Sequence, residues 1–383
     1  MGYAAARGGL KAIRAAEDLI RRRRSDSDTP AISQDQYAAH LQPLVDRVMA
    51  EGGVWDVDLA VAALRQGAGD PIEAAHLIRA HRSTLGVIAR CDADADELEI
   101  LRRVVPAYRN PPGPQLLGLT SDYTGRILET APVAGASSTS SATEQLVESD
   151  DRAQPQVLSA VDDLERRPRR LLEVLRDLDL VVDRRRSDDP DPVDITRVAV
   201  RPPAPRSARL AVMARAETGA LVNLWYRNIL GPDGYLHEIT LGEVRHGRLP
   251  VRVAHPRTGG DVVLGHVRVT EVEAIEDLDG IDEDRGRFDV GYGMCFGHNE
   301  KKAIAMANLD IACHRDAGRT TLEQSVLLTS DGLEATGFLE HLKLPHYVTF
   351  RSMVERKIAV RDARSADERV AVEASATPPE PCR

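Results

Sequence analysis

RLPVRVAHPRTGGDVVLGHVRVTEV, residues 248–272, contains three strand-like runs around a strong turn signal. The runs are Arg248–Ala254, Val262–Leu264 and Val267–Val272, and each is rich in β-branched residues. Between the first two lies Pro-Arg-Thr-Gly-Gly at 256–260, a combination typical of a tight turn between antiparallel strands. The stretch therefore predicts an antiparallel sheet in the second half of the chain.

The first 130 residues are expected to be mostly helical. Ser33 and Gln36 have the spacing of a capping box at a helix start. Pro43 falls inside the apolar stripe that follows and should kink or split that helix. A further helix start is predicted at Asp70, which is followed directly by a proline.

These patterns together predict an α+β fold, in which a helical N-terminal region is followed by a mixed domain with an antiparallel sheet. The helical region is expected at 1–130 and the mixed domain at 193–360. Residues 131–192 are predicted to be a variable, partly disordered connector, because Ala, Ser and Thr dominate its first part. The tail at 361–383, which contains Pro378, Pro379 and Pro381, is predicted to be disordered.

Composition narrows the class of protein. The chain has 383 residues and a formal net charge of −10, which argues against non-specific binding to nucleic acid or to an anionic membrane. It has no apolar run long enough for a transmembrane helix, and its first residues lack the apolar core of a signal peptide. The four cysteines are scattered without a CxxC pair, so a reduced, cytoplasmic protein is expected.

A glycine-rich segment, Gly291–Ile304, leads into a predicted helix and is a candidate for binding phosphate. Free N–H groups at a helix start bind anions, and neighbouring lysines add positive charge. The Gly-Lys-Ser/Thr signature of a Walker loop is absent, so a plain strand–turn–helix connection remains the alternative. The candidate substrate-binding residues are Gly291, Gly293, Gly297, Lys301 and Lys302.

Two histidines near the C-terminus, His341 and His346, are candidate metal ligands. They are five positions apart, so they can share a metal ion only if the chain turns at Leu344-Pro345. Two ligands are too few for a structural or a catalytic zinc site, and a metal here would need further donors. The alternative is a pair of unrelated polar residues beside a turn.

Three acidic residues near the histidines, Asp331, Glu334 and Glu340, are the candidate catalytic groups. A carboxylate in a site can act as a general acid or base, or can stabilise a cationic transition state. The alternative is that all three are solvated surface charges. Cys295 and His298 have metal-like spacing, but the pattern lacks the second pair that a zinc site needs, so a buried thiol and a surface histidine are favoured.

Several segments, taken together and in order, resemble the PhnI family. Its members are a subunit of the bacterial carbon–phosphorus lyase core complex. The resemblance covers most of the chain outside 131–192 and the tail. The segments that carry it are GYAAARGGLKAI (2–13), VDRVMAEG (45–52), GDPIEAA (69–75), DYT (122–124), DITR (194–197), RAETGA (215–220), LPVRV (249–253), Gly291–Ile304 and ATGFLEHLKLPHYV (335–348).

This resemblance implies an enzyme of phosphonate catabolism. With its partners, the family transfers ribose 5-triphosphate from ATP to methylphosphonate and releases adenine. The subunit alone acts as a nucleosidase on ATP and GTP. The implied partners are core subunits of the G, H and J types and an ATP-binding-cassette type subunit. The two histidines of the family's His-Leu-Lys-Leu-Pro-His motif, which match His341 and His346, bind a zinc ion shared with the lyase subunit. The alternative is a non-catalytic scaffold that contributes only those two ligands.

Overall fold

The computed structural model describes residues 9–26, 28–118, 120, 168–182, 191–230, 239–277, 286–315, 320–342 and 353–376. Within these residues the fold is α+β, as predicted, with helices before and after the strands. The helices are α1 (Gly9–Ser25), α2 (Gln34–His40), α3 (Gln42–Gly52), α4 (Val57–Gln66), α5 (Pro71–Ser83), α6 (Leu171–Asp177), α7 (Arg206–Arg215), α8 (Thr218–Leu230), α9 (Glu300–Arg315), α10 (Thr320–Leu342) and α11 (Met353–Ala376), with a short 3₁₀ turn at Ala95–Glu97.

Four strands form one antiparallel sheet in the order β1-β2-β3-β4. The long hairpin of β2 and β3 is its centre, and the turn at 255–260 connects the two strands as the opening stretch predicts. β1 comes from the region that was predicted to be helical, so both halves of the chain contribute to the sheet. The strands are β1 (Glu99–Val104), β2 (Ile239–Ala254), β3 (Asp261–Asp277) and β4 (Phe288–Phe296).

The N-terminal helices begin where local capping chemistry dictates. Ser33 and Gln36 form the predicted capping box at the start of α2. Pro43 lies in the first turn of α3, and the apolar stripe is split into α2 and α3 as expected. Asp70 accepts hydrogen bonds from the amides of Ile72 and Glu73 and thereby caps α5. The helices pack around their own apolar cluster, which includes Val48, Met49, Ala60, Leu64 and Ile78.

One face of the sheet is apolar and is covered by α9. Gly291 and Gly293 lie inside β4, so the prediction of a glycine-rich loop at these two positions is wrong. A Cβ on Gly291 would stand 1.9 Å from the carbonyl oxygen of Ala307, and one on Gly293 would stand 2.3 Å from that of Ala303. The two glycines therefore allow the backbone of α9 to approach β4 closely.

The opposite face of the sheet carries buried charges in place of apolar residues. Arg103 and Glu243 are both fully buried and form an ion pair, with 2.6 Å between Nε and Oε1. Arg245 pairs with Glu271 on the neighbouring strand. Burial and the neighbouring Glu271 raise the pKa of Glu273 to about 7. Helix α6 lies over this face, and the amide of Leu171, its first residue, donates to Oε2 of Glu243.

The chain divides into two compact units, Ser33–Glu334 and Met1–Ile32 with Ala335–Arg383. The first contains the sheet, helices α2 to α9 and the part of α10 up to Glu334. The second contains α1 and α11. Helix α11 extends to Ala376, so most of the segment predicted to be disordered from 361 is helical. Its residues are mainly strong helix formers, and the three prolines that suggested disorder come only after the helix ends.

Three further predictions fall on parts of the chain that are not described. They are the low-complexity part of the connector at 131–152, the turn at Leu344-Pro345, and the position of His346. Among the helices that are described, none is long and apolar enough to cross a bilayer.

Candidate functional site: an arginine-lined cavity

A cavity of about 800 Å³ lies in the larger unit, bordered by α5, α7, α10 and the chain at 195–200. Four arginines reach it from three separate parts of the sequence, together with the predicted catalytic residues Asp331 and Glu334. The cavity is therefore lined by several positive groups and two carboxylates. The arginines are Arg79, Arg82, Arg197 and Arg215.

Arg79 is a buried guanidinium that holds the wall of the cavity together through backbone carbonyls. Its Nε donates to the carbonyl of Glu51 at 2.9 Å, Nη1 donates to that of Ser330 at 2.8 Å, and Nη2 donates to that of Arg215. Nη1 also lies 3.5 Å from Oε1 of Glu334. Burial lowers the pKa of Arg79, and the charge of Glu334 opposes that shift. One side chain thus links α3, α7 and α10 beside the cavity.

Arg215 is the group best placed to hold a ligand anion. Burial, together with the positive charges of Arg79 and Arg82, lowers the pKa of Arg215 to about 10. Its Nε is buried, and no acceptor for it lies among the described residues. The residue lines the cavity, where a guanidinium can donate charge-assisted hydrogen bonds to an anionic ligand.

Asp331 and Glu334 project from the same face of α10 because they are three residues apart. Partial burial and the neighbouring charge of Glu334 raise the pKa of Asp331, while Arg79 opposes the rise. Glu334 is 62% exposed and remains open to solvent. The two carboxylates therefore lie beside the guanidinium groups, where they can face a ligand that the arginines hold.

The other predicted residues near the C-terminus are only partly described. Glu340 and His341 lie in the last turn of α10, and their side chains lie outside the described residues, as does all of His346. In the part of the chain that is described, no group of three or more His, Cys, Asp or Glu residues could hold a metal ion. Any metal on this pair would need donors from another source.

The predicted phosphate-binding segment lies elsewhere, at the junction of β4 and α9. Gly297 has a φ of +72°, in the left-handed region, and a Cβ there would stand 2.5 Å from that of Asp46. The amide of His298 donates to Asp46, and the amide of Asn299 donates to Thr270. The amides just before α9 therefore donate to side chains of the protein itself.

The two lysines of that segment have different environments. Lys301 is exposed, whereas Lys302 is fully buried and donates from Nζ to the carbonyl of Ala216 at 2.8 Å. Burial lowers the pKa of Lys302 to about 8. A packing role accounts for Lys302 and for the three glycines, and the arrangement does not bring them to the arginine-lined cavity.

A second polar cluster at the same junction was not predicted. His246 and His298 stack with 4.4 Å between their ring centroids, and Nε2 of His298 lies 3.4 Å from Glu300. Burial, then the charges of His298 and Arg268, lower the pKa of His246 to about 3. His246 is therefore neutral near pH 7 and serves as a flat support for His298.

Comparison with known proteins places the chain in a family. Residues 2–365 match the family described as bacterial phosphonate metabolism protein PhnI. The chain belongs to the PhnI family. A PhnI relative from Escherichia coli K12, named alpha-D-ribose 1-methylphosphonate 5-triphosphate synthase subunit PhnI, is 36% identical over 92% of this chain and 96% of its own length. A relative of the same name from Rhizobium meliloti is 35% identical over 95% of this chain and 97% of its own length.

A further PhnI-family relative, from Stutzerimonas stutzeri, is named putative C-P lyase subunit protein HtxH. It is 37% identical over 96% of this chain and 98% of its own length. The alignments therefore span more than nine tenths of each chain, and the cavity lies within the matched range 2–365. Two segments that resemble the PhnI family, 194–197 and 215–220, contribute Arg197 and Arg215 to the cavity. Arg79 and Arg82 lie outside these segments. Only the fold brings α5, which carries them, close to Arg197 and Arg215.

Proposed function

We propose that this chain, with partner subunits, transfers ribose 5-triphosphate from ATP to methylphosphonate and releases adenine. Alone, it would act as a purine nucleosidase on ATP and GTP. The observation that carries the proposal is the cavity in which four arginines adjoin Asp331 and Glu334. The printed names of two relatives, which describe a ribose 1-methylphosphonate 5-triphosphate synthase subunit, support the choice of substrates.

The proposed reaction breaks one bond and forms another at the anomeric carbon of ribose. The bond from C1′ to the purine nitrogen breaks, the purine leaves with the electron pair, and it takes up a proton. An oxygen of methylphosphonate forms the new bond to C1′. In the nucleosidase reaction a water oxygen takes that place and releases a proton. Positive charge develops on the ribose in both cases.

The chemistry of the cavity suits both the triphosphate and the ribose of this substrate. Guanidinium groups bind phosphate oxygens through charge-assisted hydrogen bonds, so Arg215 with Arg79, Arg82 and Arg197 would hold the triphosphate. The carboxylates of α10 would lie towards the ribose and stabilise its positive charge. Glu340, which the sequence also predicts to be catalytic, stays a prediction, because its side chain lies outside the described residues.

The purified chain incubated with ATP is expected to release adenine, which chromatography can measure. Adenosine is the matched control, because it lacks the triphosphate and should react far more slowly. With the partner subunits and methylphosphonate, the phosphonate ester of ribose triphosphate should accumulate. If neither preparation releases adenine from ATP, the proposal is wrong and a scaffolding role is favoured.

We also propose that His341 and His346 supply two ligands to a zinc ion shared with the lyase subunit. Neutral imidazole suits zinc, and His341 stands at the end of α10, where a turn can bring His346 back towards it. The proposed partners are the G, H and J type subunits and an ATP-binding-cassette type subunit, in the cytoplasm, where ATP is available. The zinc ion would order the interface, whether or not it takes part in chemistry.

Metal analysis of the assembled complex tests the zinc proposal. Each of His341→Ala and His346→Ala should lower the bound zinc, because each removes one of the few donors. His40→Ala, at an exposed histidine in α2, should leave the zinc content unchanged. Equal zinc in all preparations would contradict the assignment, and the adenine assay of the isolated chain is independent of the result.

A further inference from the structure

Gly53 follows the last residue of α3 and lies beside the cavity. Its φ of +69° and ψ of 36° are in the left-handed region, and its amide donates to the carbonyl of Ala50 at 3.2 Å. The next residue, Val54, lines the cavity. Such a helix end favours glycine, but asparagine also occurs there, so the conformation alone does not require the absence of a side chain.

The side chain of Arg215 occupies the space that a side chain at position 53 would need. A Cβ on Gly53 would stand 2.7 Å from Nε of Arg215, 3.0 Å from its Cδ and 3.3 Å from its Cγ. Favourable contacts between such atoms lie at about 3.5–4.0 Å, so the Cβ would overlap with the arginine. The buried Nε of Arg215 therefore packs directly against the backbone of Gly53.

Two buried cations hold the backbones on both sides of this contact in place. Nε of Arg79 donates at 2.9 Å to the carbonyl two residues before Gly53, and Nη2 of Arg79 donates to the carbonyl of Arg215. Nζ of Lys302 donates at 2.8 Å to the carbonyl of Ala216. The end of α3 and the end of α7 are thereby tied together, so neither can easily move away from the other.

The part of this contact that can yield is the side chain of Arg215, which can change its rotamer. Burial and two neighbouring guanidinium groups lower the pKa of Arg215 to about 10, because they outweigh the attraction of Glu334 and Asp194. Charge attraction within the chain therefore does not fix the guanidinium beside the cavity. Packing against the backbone of Gly53 does, and a side chain at that position would displace the guanidinium.

We propose that Gly53 is a positioning residue, whose missing side chain leaves room for Arg215 in the conformation that binds the polyphosphate of the substrate. Contacts between a guanidinium and phosphate oxygens are directional, so displacement of the group lowers affinity even though its charge remains. This role rests on the proposed function, which supplies the polyphosphate. Its test is the binding of an anion, which does not require the release of adenine.

Binding of inorganic tripolyphosphate, measured by isothermal titration calorimetry, tests this role. Gly53→Ala should raise Kd roughly tenfold or more, because hydrogen bonds from a charged donor contribute strongly to binding. Gly259→Ala, in the turn between β2 and β3, is the matched control. Gly259 has the same φ of +69°, but nothing lies within 4 Å of a Cβ there. The control therefore carries the backbone strain without the contact, and its Kd should equal that of the unaltered chain.

A double-mutant cycle shows whether the effect of Gly53→Ala acts through Arg215. Arg215→Ala removes the three atoms that the new Cβ would meet, and it should itself weaken the binding of tripolyphosphate. Gly53→Ala/Arg215→Ala should then bind as Arg215→Ala alone does, whereas independent effects would add. With ATP as substrate, Gly53→Ala should raise KM and leave kcat nearly unchanged, since the triphosphate is held equally before and during the reaction.

The role of Gly53 is overturned if Gly53→Ala binds tripolyphosphate as well as Gly259→Ala does, if the losses in the double variant add, or if the unaltered chain does not bind this anion. Should circular dichroism show that Gly53→Ala is unfolded, the double variant with Arg215→Ala should fold. If both are unfolded, Arg215 is not the group that the Cβ displaces, and the role is again overturned. A chain that binds tripolyphosphate but releases no adenine from ATP contradicts the proposed function and leaves the role of Gly53 intact.

Discussion

Replacement of Arg103 by methionine is expected to lower the free energy of unfolding by about 3–5 kcal/mol, as breaking a buried ion pair generally does. Arg103 and Glu243 are both 0% exposed, so the change would leave a buried carboxylate without its cation. It would also remove the bonds from Nη1 to the carbonyls of Pro112 and Pro114. Urea unfolding followed by circular dichroism measures the change.

A matched control separates burial from charge. Arg287 forms a 2.7 Å pair with Asp179, but the two side chains are 38% and 78% exposed. Arg287→Met should therefore cost less than about 1 kcal/mol. The double variant Arg103→Met/Glu243→Leu no longer has a buried, unpaired carboxylate. Its free energy of unfolding should therefore be higher than that of Arg103→Met alone. Equal losses for Arg103→Met and Arg287→Met would contradict the role given to burial.

The double variant Asp331→Asn/Glu334→Gln is expected to lower the rate of adenine release by roughly 100-fold or more, in line with the loss of groups that stabilise transition-state charge. Both changes keep the shape of the side chains and remove their negative charge. Binding of ATP should persist, because the arginines of the cavity remain and the repulsive carboxylates are gone. Steady-state kinetics would show the loss in kcat while KM stays the same or falls.

The control for this prediction changes the same residue types elsewhere. Asp362→Asn/Glu368→Gln, at exposed positions of α11, should leave adenine release unchanged. Thermal unfolding should show little difference for either variant, since Glu334 is largely exposed and its pair with Arg79 spans 3.5 Å. If kcat of the cavity variant is unaltered, these two carboxylates take no part in the mechanism.

Features set by neighbouring residues could be predicted from the sequence. The hairpin at 248–272 and the helix starts at Ser33 and Asp70 were correct because turn and capping chemistry acts over three or four positions. The glycines of β4 were misinterpreted, because their reason is the close approach of the α9 backbone. That approach depends on packing between elements, which a glycine-rich pattern alone does not specify.

The candidate site was only half predictable for the same reason. Asp331 and Glu334 were proposed because they lie close in the sequence to the two histidines. The arginines come from α5, α7 and the chain near 197, so only the folded chain unites them. β1 was missed because it contains two adjacent arginines, Arg102 and Arg103, whose burial is tolerable only because they pair with Glu300 and Glu243.

The guanidinium of Arg79 has a consequence for how such sequences can diverge. Its three donated bonds end on main-chain oxygens of Glu51, Ser330 and Arg215, and every amino acid carries such an oxygen. Substitution at those three positions therefore leaves the anchor of Arg79 intact, provided that the backbone keeps its path. Position 330 can thus vary while Arg79 keeps its place, whereas Glu51 and Arg215 are constrained by their own side chains, because Glu51 accepts from Arg47 and Thr218 and Arg215 lines the cavity.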